Sequence, residues 1–285
     1  MNNFYRSFSS VFVFLCISAA ADEEVEFKLK FESGKTYLTE SVIKQNSSLP
    51  MQGQVIESGV EMKVLSSQKA STVDENTHVI QKMDTLKMVV DAGGMKMEFD
   101  SENPEGPIAA MFAPIMQAKS TVVLDANGDF VSVSADKVPG MEALGMGEEE
   151  LKQAARELYD LLPGKKIKLG GSWQSKSLLP LPGITEKPVD INYELTFEGM
   201  VEKGGRNLAK VIAKGKIASD DGNLRVTSKN VGGVIFFDPE IGQPRELTMT
   251  IDIEVGLPEG TEAIDGAAGK MPVTMNTVSI LKEIK

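Results

Sequence analysis

Among the 285 residues there is one cysteine, Cys16, and one histidine, His78. Most nucleophilic and metal chemistry needs more of both. Cys16 falls inside an apolar leader, so the processed chain has no thiol nucleophile. His78 sits in Asn76-Thr77-His78-Val79-Ile80, which reads as the start of a strand. A general base is one use of such a residue, and a hydrogen-bonded structural histidine is the ordinary one. A zinc site takes three or four ligands, and one His without Cys cannot build the common kinds. No catalytic residue, metal site or cofactor is therefore expected.

Carboxylates are abundant, with 41 Asp and Glu, so a two-carboxylate glycosidase centre is not excluded by count. A single Trp and four Tyr are sparse for a sugar cleft, however, and the acids fall mainly at the polar positions of alternating strands, where a solvated face explains them. Asp125-Ala126-Asn127-Gly128-Asp129 resembles the start of a calcium loop, but its glycine is in the wrong place and Asp136 stands where the closing Glu belongs. It is expected to be a hairpin turn. No glycine-rich phosphate loop precedes a helix, and Asn46-Ser47-Ser48 is too common a tripeptide to carry weight.

The methionines are the unusual feature. Met83, Met88, Met95, Met97, Met111, Met116, Met141 and Met146 fall close together in sequence. Three readings are open: thioether ligation of Cu(I), a deformable lining for a lipid-like ligand, and ordinary core filling.

The elements that would position these residues are mostly strands. Val25-Phe27-Leu29-Phe31, Ile191-Tyr193-Leu195-Phe197 and Leu247-Met249-Ile251-Ile253-Val255 alternate with polar residues, the pattern of antiparallel strands with one face buried. Turn residues at Asp91-Ala92-Gly93-Gly94, Asp125 to Gly128, Lys203-Gly204-Gly205 and Asp220 to Asn223 join further strands into hairpins. Two helices are expected. Glu148 to Leu162 has one apolar stripe, acids in its first turn and a Pro163-Gly164 stop; Pro107 to Ala118 is apolar nearly all round and so must be buried or cover something apolar.

The fold class expected is mostly β: an antiparallel meander forming a curved sheet or half-barrel, with two helices. A faint echo of Phe27 to Lys30 at Lys166 to Leu169 suggests two pseudo-repeated halves, 22–146 and 165–285, joined by a helix over 147–164.

Residues 1–21 have a cation at Arg6, a short apolar run and Ala19-Ala20-Ala21, which reads as a signal peptide cleaved near Ala21. The run is too short for a comfortable transmembrane anchor. Lipidation at Cys16 is the alternative, although Val13, Phe14 and Leu15 do not supply the usual small residue before it. The protein is expected to be secreted or periplasmic. Its net charge of −11 argues against nucleic-acid binding, which depends on cations meeting phosphate.

The leader, Gly34-Lys35-Thr36-Tyr37, Gly170-Gly171-Ser172-Trp173 and the strand Tyr193-Glu194-Leu195-Thr196-Phe197-Glu198-Gly199 together resemble a family of uncharacterised secreted bacterial β-rich proteins. That family has no assigned activity and supplies no functional residues. The plan of a long meander with an inserted apolar helix is similar to periplasmic lipoprotein carriers with an unclosed β-barrel, by architecture alone. The leading expectation is a non-enzymatic protein that binds an apolar or lipid-like molecule at Met95, Met97, Phe99, Met111, Phe112, Ile115 and Met116. The alternative is a structural or assembly module of the cell envelope, acting through a protein partner. Converging carboxylates in a cleft would instead point to an enzyme.

Overall fold

The computed structural model describes residues 23–51, 54–138, 148–179, 189–220, 225–256 and 270–285. A short strand β1 (Glu24–Glu26) precedes β2 (Thr36–Met51), β3 (Gln54–Val73), β4 (Asn76–Ala92) and β5 (Met95–Asp100). Helix α1 (Gly106–Gln117) leads to β6 (Lys119–Leu124) and β7 (Phe130–Ala135), and helix α2 (Glu148–Leu161) to β8 (Lys166–Lys168) and β9 (Ser172–Leu179). The remainder is a meander of β10 (Val189–Lys203), β11 (Arg206–Asp220), β12 (Arg225–Asp238), β13 (Gln243–Gly256) and β14 (Lys270–Ile284).

Every ladder is antiparallel. Twelve strands form one open sheet in the order β7-β6-β4-β3-β2-β14-β13-β12-β11-β10-β9, with β5 also paired to β4. The ladder between β14 and β2 joins the strands of the first half to those of the second. The sheet curls without closing, and among the described residues β7 and β9 end it, each with a single neighbour.

The alternation read in β10 is strict in burial: Ile191, Tyr193, Leu195 and Phe197 are sealed while Asn192, Glu194 and Glu198 are exposed. At the β4–β5 turn, Gly93 and Gly94 have φ of 59° and 83°, the left-handed values a two-residue hairpin needs and glycine adopts without strain. The β3–β4 turn makes the same demand of Asp74 and Glu75, at φ 48° and 70°, without glycine. The turn expected at Asp220 to Asn223 lies outside the described residues beyond Asp220.

Val25 to Phe31 differs from expectation. Only Glu24–Glu26 pairs as a strand, with β8, and the rest crosses one end of the curled sheet without a ladder. Phe27 N–H donates to the Lys165 carbonyl and Lys30 N–H to the Gly242 carbonyl, and Lys28 Nζ meets Asp129 at 2.6 Å. The alternation therefore reflects a plug with one side inward. Phe27 is fully buried, its ring 5.1 Å from Trp173 and 5.3 Å from both Phe197 and Phe237. Burying each such ring is worth about 2–3 kcal/mol, so the plug is well anchored.

Candidate functional site

Helix α2 occupies the gap between the two sheet edges, and the side chains that hold it there come from both. On β9 the inward positions carry Trp173, Ser175 and Ser177. Trp173 Nε1–H donates to the Leu161 carbonyl at 3.0 Å, Ser175 Oγ to the Asp160 carbonyl at 2.9 Å, and Ser177 Oγ to the Glu157 carboxyl. Two of these use carbonyls of the last helical turn, which have no partner within the helix. On the other side Ala155 packs with Val79, Val122 and Leu124, and Arg156 lies 4.8 Å over the Phe130 ring. The result is a half-barrel closed by a helix.

Beneath α2 is a cavity of about 570 Å³, within the size range of small-molecule sites. Its helical wall is Ala154, Ala155, Glu157, Leu158 and Leu161; the sheet contributes both hydroxyl-bearing and apolar side chains. Directly paired residues share a face, so the ladders define rows across the inner surface. One row runs Leu86, Val64, Ser41, Ser279, Leu247, and the Ser41 and Ser279 hydroxyls hydrogen-bond at 2.8 Å. The next runs Met88, Met62, Ile43, Thr277, Met249. The rows beyond it leave the cavity and continue through Val90, Val60, Gln45 and Met275 to Ala92, Ser58 and Ser47. Six residue steps along β2, from Ser41 to Ser47, make this trough about 20 Å long.

Charge is scarce inside. Glu157 is partly buried; its carboxyl accepts from Ser177 Oγ and the Leu178 N–H. Burial raises its pKa above the ordinary carboxylate value, those two hydrogen bonds pull it down, and nearby Asp160 adds to the rise. Tyr193 is pushed up to about 12, mainly by burial and further by Glu157. Lys176 also lines the cavity but is exposed. Gln81 Nε2 and the Tyr159 hydroxyl are buried side by side, too poorly aligned for an ordinary hydrogen bond but close enough that the Gln81 carboxamide favours the Tyr159 phenolate slightly. Burial holds the Tyr159 phenol well above its usual range.

Of the seven residues singled out in the sequence, none of the six whose side chains are described lines the cavity; Met95, Met97 and Phe99 extend the sheet's inner face and Phe112, Ile115 and Met116 lie on α1. Phe99 pairs with Met88 and is buried under Phe112 of α1, their rings 5.1 Å apart. Met97 pairs with Val90 and Met95 with Ala92, so both extend the outer rows of the trough; they are 48% and 73% exposed. Ile115 and Met116 are half-buried on α1, which packs on β4. The Met111 side chain, and Met141 and Met146 altogether, lie outside the described residues. His78 alternates with sealed Val79 and so faces away from the interior. Asp125 accepts the N–H groups of Asn127 and Asp129, closing a turn. Among the described residues no three His, Cys, Asp or Glu side chains converge on a metal position, and no helix is long and apolar enough to cross a membrane.

The signal the sequence did carry for this site is the serine spacing of β9. Small hydroxyls at 175 and 177 fall in step with Trp173, on the side that must face inward.

No family model and no curated protein matches the chain. Among solved structures it is similar to the lipovitellin of "lipid-protein interactions in lipovitellin", with 14% identity and a TM-score of 0.48 over 90% of this chain. The chain spans 26% of that protein's length. It is also similar to a putative exported protein with a YmcC-like fold from Bacteroides fragilis (11% identity, TM-score 0.24, 91% of this chain and 99% of that one). The hypothetical lipoprotein YmcC from Escherichia coli follows (13% identity, TM-score 0.20, 83% and 85%). All three TM-scores lie below 0.5.

Proposed function

We propose that this protein is a non-enzymatic carrier that holds one amphipathic molecule, its polar end beneath α2 and its apolar body along the trough toward Met97 and Met95. The observation that carries this reading is the cavity of about 570 Å³ bordered by a largely apolar row of Met88, Met62, Ile43 and Met249, broken by Thr277. A solid core would have no room for a guest, and a wet cleft would not offer Ile43, Met62, Met88 and Val60 half-buried on one face. Methionine suits the outer rows because its flexible thioether adapts to chains of varied shape. The leader at 1–21 supports work outside the cytoplasm, in the secreted or periplasmic space.

The test is uptake of the neutral apolar dye N-phenyl-1-naphthylamine by purified protein after solvent extraction, with native mass spectrometry of the unextracted protein. Saturable one-to-one binding and a co-purifying small molecule are expected. No dye uptake and no bound mass would end the carrier reading.

The exposed Met95 and Met97 favour a second reading, in which this tip meets an envelope protein partner. A partner lost from co-purification on Met95→Gln/Met97→Gln, with dye uptake unchanged, would favour it.

A further inference from the structure

We infer that the cavity selects amphiphiles whose head group is uncharged, such as an alcohol, ester or amide, over those ending in carboxylate or phosphate. This rests on the carrier reading and specifies the ligand's chemistry.

Apart from Glu157 and Lys176, the polar side chains of the described cavity wall carry hydroxyls and carboxamides. Ser41, Ser279, Thr39 and Thr277 can each donate and accept, and the Gln81 carboxamide lies beside the Tyr159 phenol. A ligand carbonyl or hydroxyl can exchange hydrogen bonds with this hydroxyl set without leaving a donor unpaired.

Among the described residues the wall offers an anionic head little of what it needs. Arg and Lys bind carboxylate and phosphate because they supply charge and several donors together. Among the described lining residues Lys176 is the one cation, exposed at a position alternating with inward Ser175 and Ser177. Glu157 is the one acid among them, partly buried with no described cation paired to it. An anion entering beside Glu157 would meet no compensating charge and, wherever Glu157 is ionised, a like one. The Ser177 hydroxyl and Leu178 N–H could have served an anion, but both already donate to Glu157. A neutral head exchanges hydroxyl for hydroxyl at little cost.

The experiment is displacement of bound N-phenyl-1-naphthylamine from extracted, full-length mature protein by a monoacylglycerol and by the fatty acid of the same chain length, at about pH 8, where the fatty acid is ionised. Competitor concentrations are kept below micelle formation. The expected result is at least tenfold tighter displacement by the monoacylglycerol. In Glu157→Gln the fatty acid should gain severalfold, narrowing the gap. Equal displacement by the two ligands, or tighter displacement by the fatty acid, overturns the head-group inference and leaves the carrier reading standing. Failure of the dye itself to bind overturns the carrier reading, and this inference with it.

Discussion

Along β10 every inward residue from Val189 to Phe197 is 4% exposed or less, whereas on β3 and β4 the sealed Ala70, Val79 and Leu86 share the inner face with Val60, Met62 and Met88, which are only half-buried. The same sheet carries both. In β9 to β13 the inner face meets the Phe27 plug and neighbouring side chains, forming a cluster that includes Leu195, Phe197, Ile235, Phe237 and Ile253. In β2 to β4 the inner face meets α2 at one end and α1 at another, with the cavity and trough between. Packing is thus tightest across β9 to β13, and the cavity opens where that frame meets the looser β2 to β4, an arrangement that suits the proposed carrier: a rigid frame beside a region that can accept a guest.

The largest effect should come from cutting into the sealed half. Phe197→Ala is expected to cost about 3–5 kcal/mol in a denaturant titration, against roughly 1 kcal/mol for Met62→Ala on the open half. Comparable losses at the two sites would erase the distinction between halves.

Next in size is Gly233→Ala. Gly233 lies in the row between Met249 and Ala213, and an added Cβ would come within 1.9 Å of the Thr248 carbonyl oxygen. Backbone here packs on backbone, so a loss of about 1–3 kcal/mol or more is expected from the same titration. Wild-type stability would mean that β12 and β13 are less closely packed than described.

Glu157→Gln probes the boundary between frame and cavity. Burial places the folded pKa of Glu157 above its unfolded one, so the folded state binds the extra proton between the two values. That carboxyl therefore costs no stability in acid, and its penalty grows as pH rises through the window and stays in place above it. Asp160 and Tyr193 are the titrating neighbours that bear on it. The variant should melt above wild type at about pH 8, with the difference closing toward about pH 4. A difference independent of pH would mean the carboxyl is not desolvated as described.

The smallest stability change should come from Ser41→Val/Ser279→Val. Replacing both partners of the 2.8 Å hydroxyl pair leaves neither unsatisfied, so stability should hold within about 1 kcal/mol. Dye affinity should nevertheless change, because the added methyl groups enter the cavity. Unchanged affinity would place the dye elsewhere.

Much of this architecture is legible in the sequence where burial and polarity agree. The alternation of Ile191 to Phe197, the Gly93-Gly94 turn and the apolar stripe of α2 each mark their element, because there apolar residues face in and polar residues out. The site breaks that rule. On β2 the inner positions are Thr39, Ser41, Ile43 and Gln45, while Leu38 and Val42 sit on the opposite face. A strand whose polar residues line a cavity looks inverted when read alone, and attention goes instead to the methionine hairpin. The ladder of β2 with β14 joins residues as far apart as Ser41 and Ser279, and α2 reaches its place through Trp173, Ser175 and Ser177. Local pattern carries neither relationship.

The central claim is that the inner face beneath α2 takes up a ligand, and filling it is the direct test. Ile43→Phe/Thr277→Phe adds bulk within the row that lines the cavity, at positions outside the sealed core cluster. Titration of N-phenyl-1-naphthylamine into this variant, with its melting temperature and Trp173 emission as controls for fold, should show affinity at least tenfold weaker than wild type, about 1.4 kcal/mol. A folded variant that binds the dye as wild type does would contradict the account.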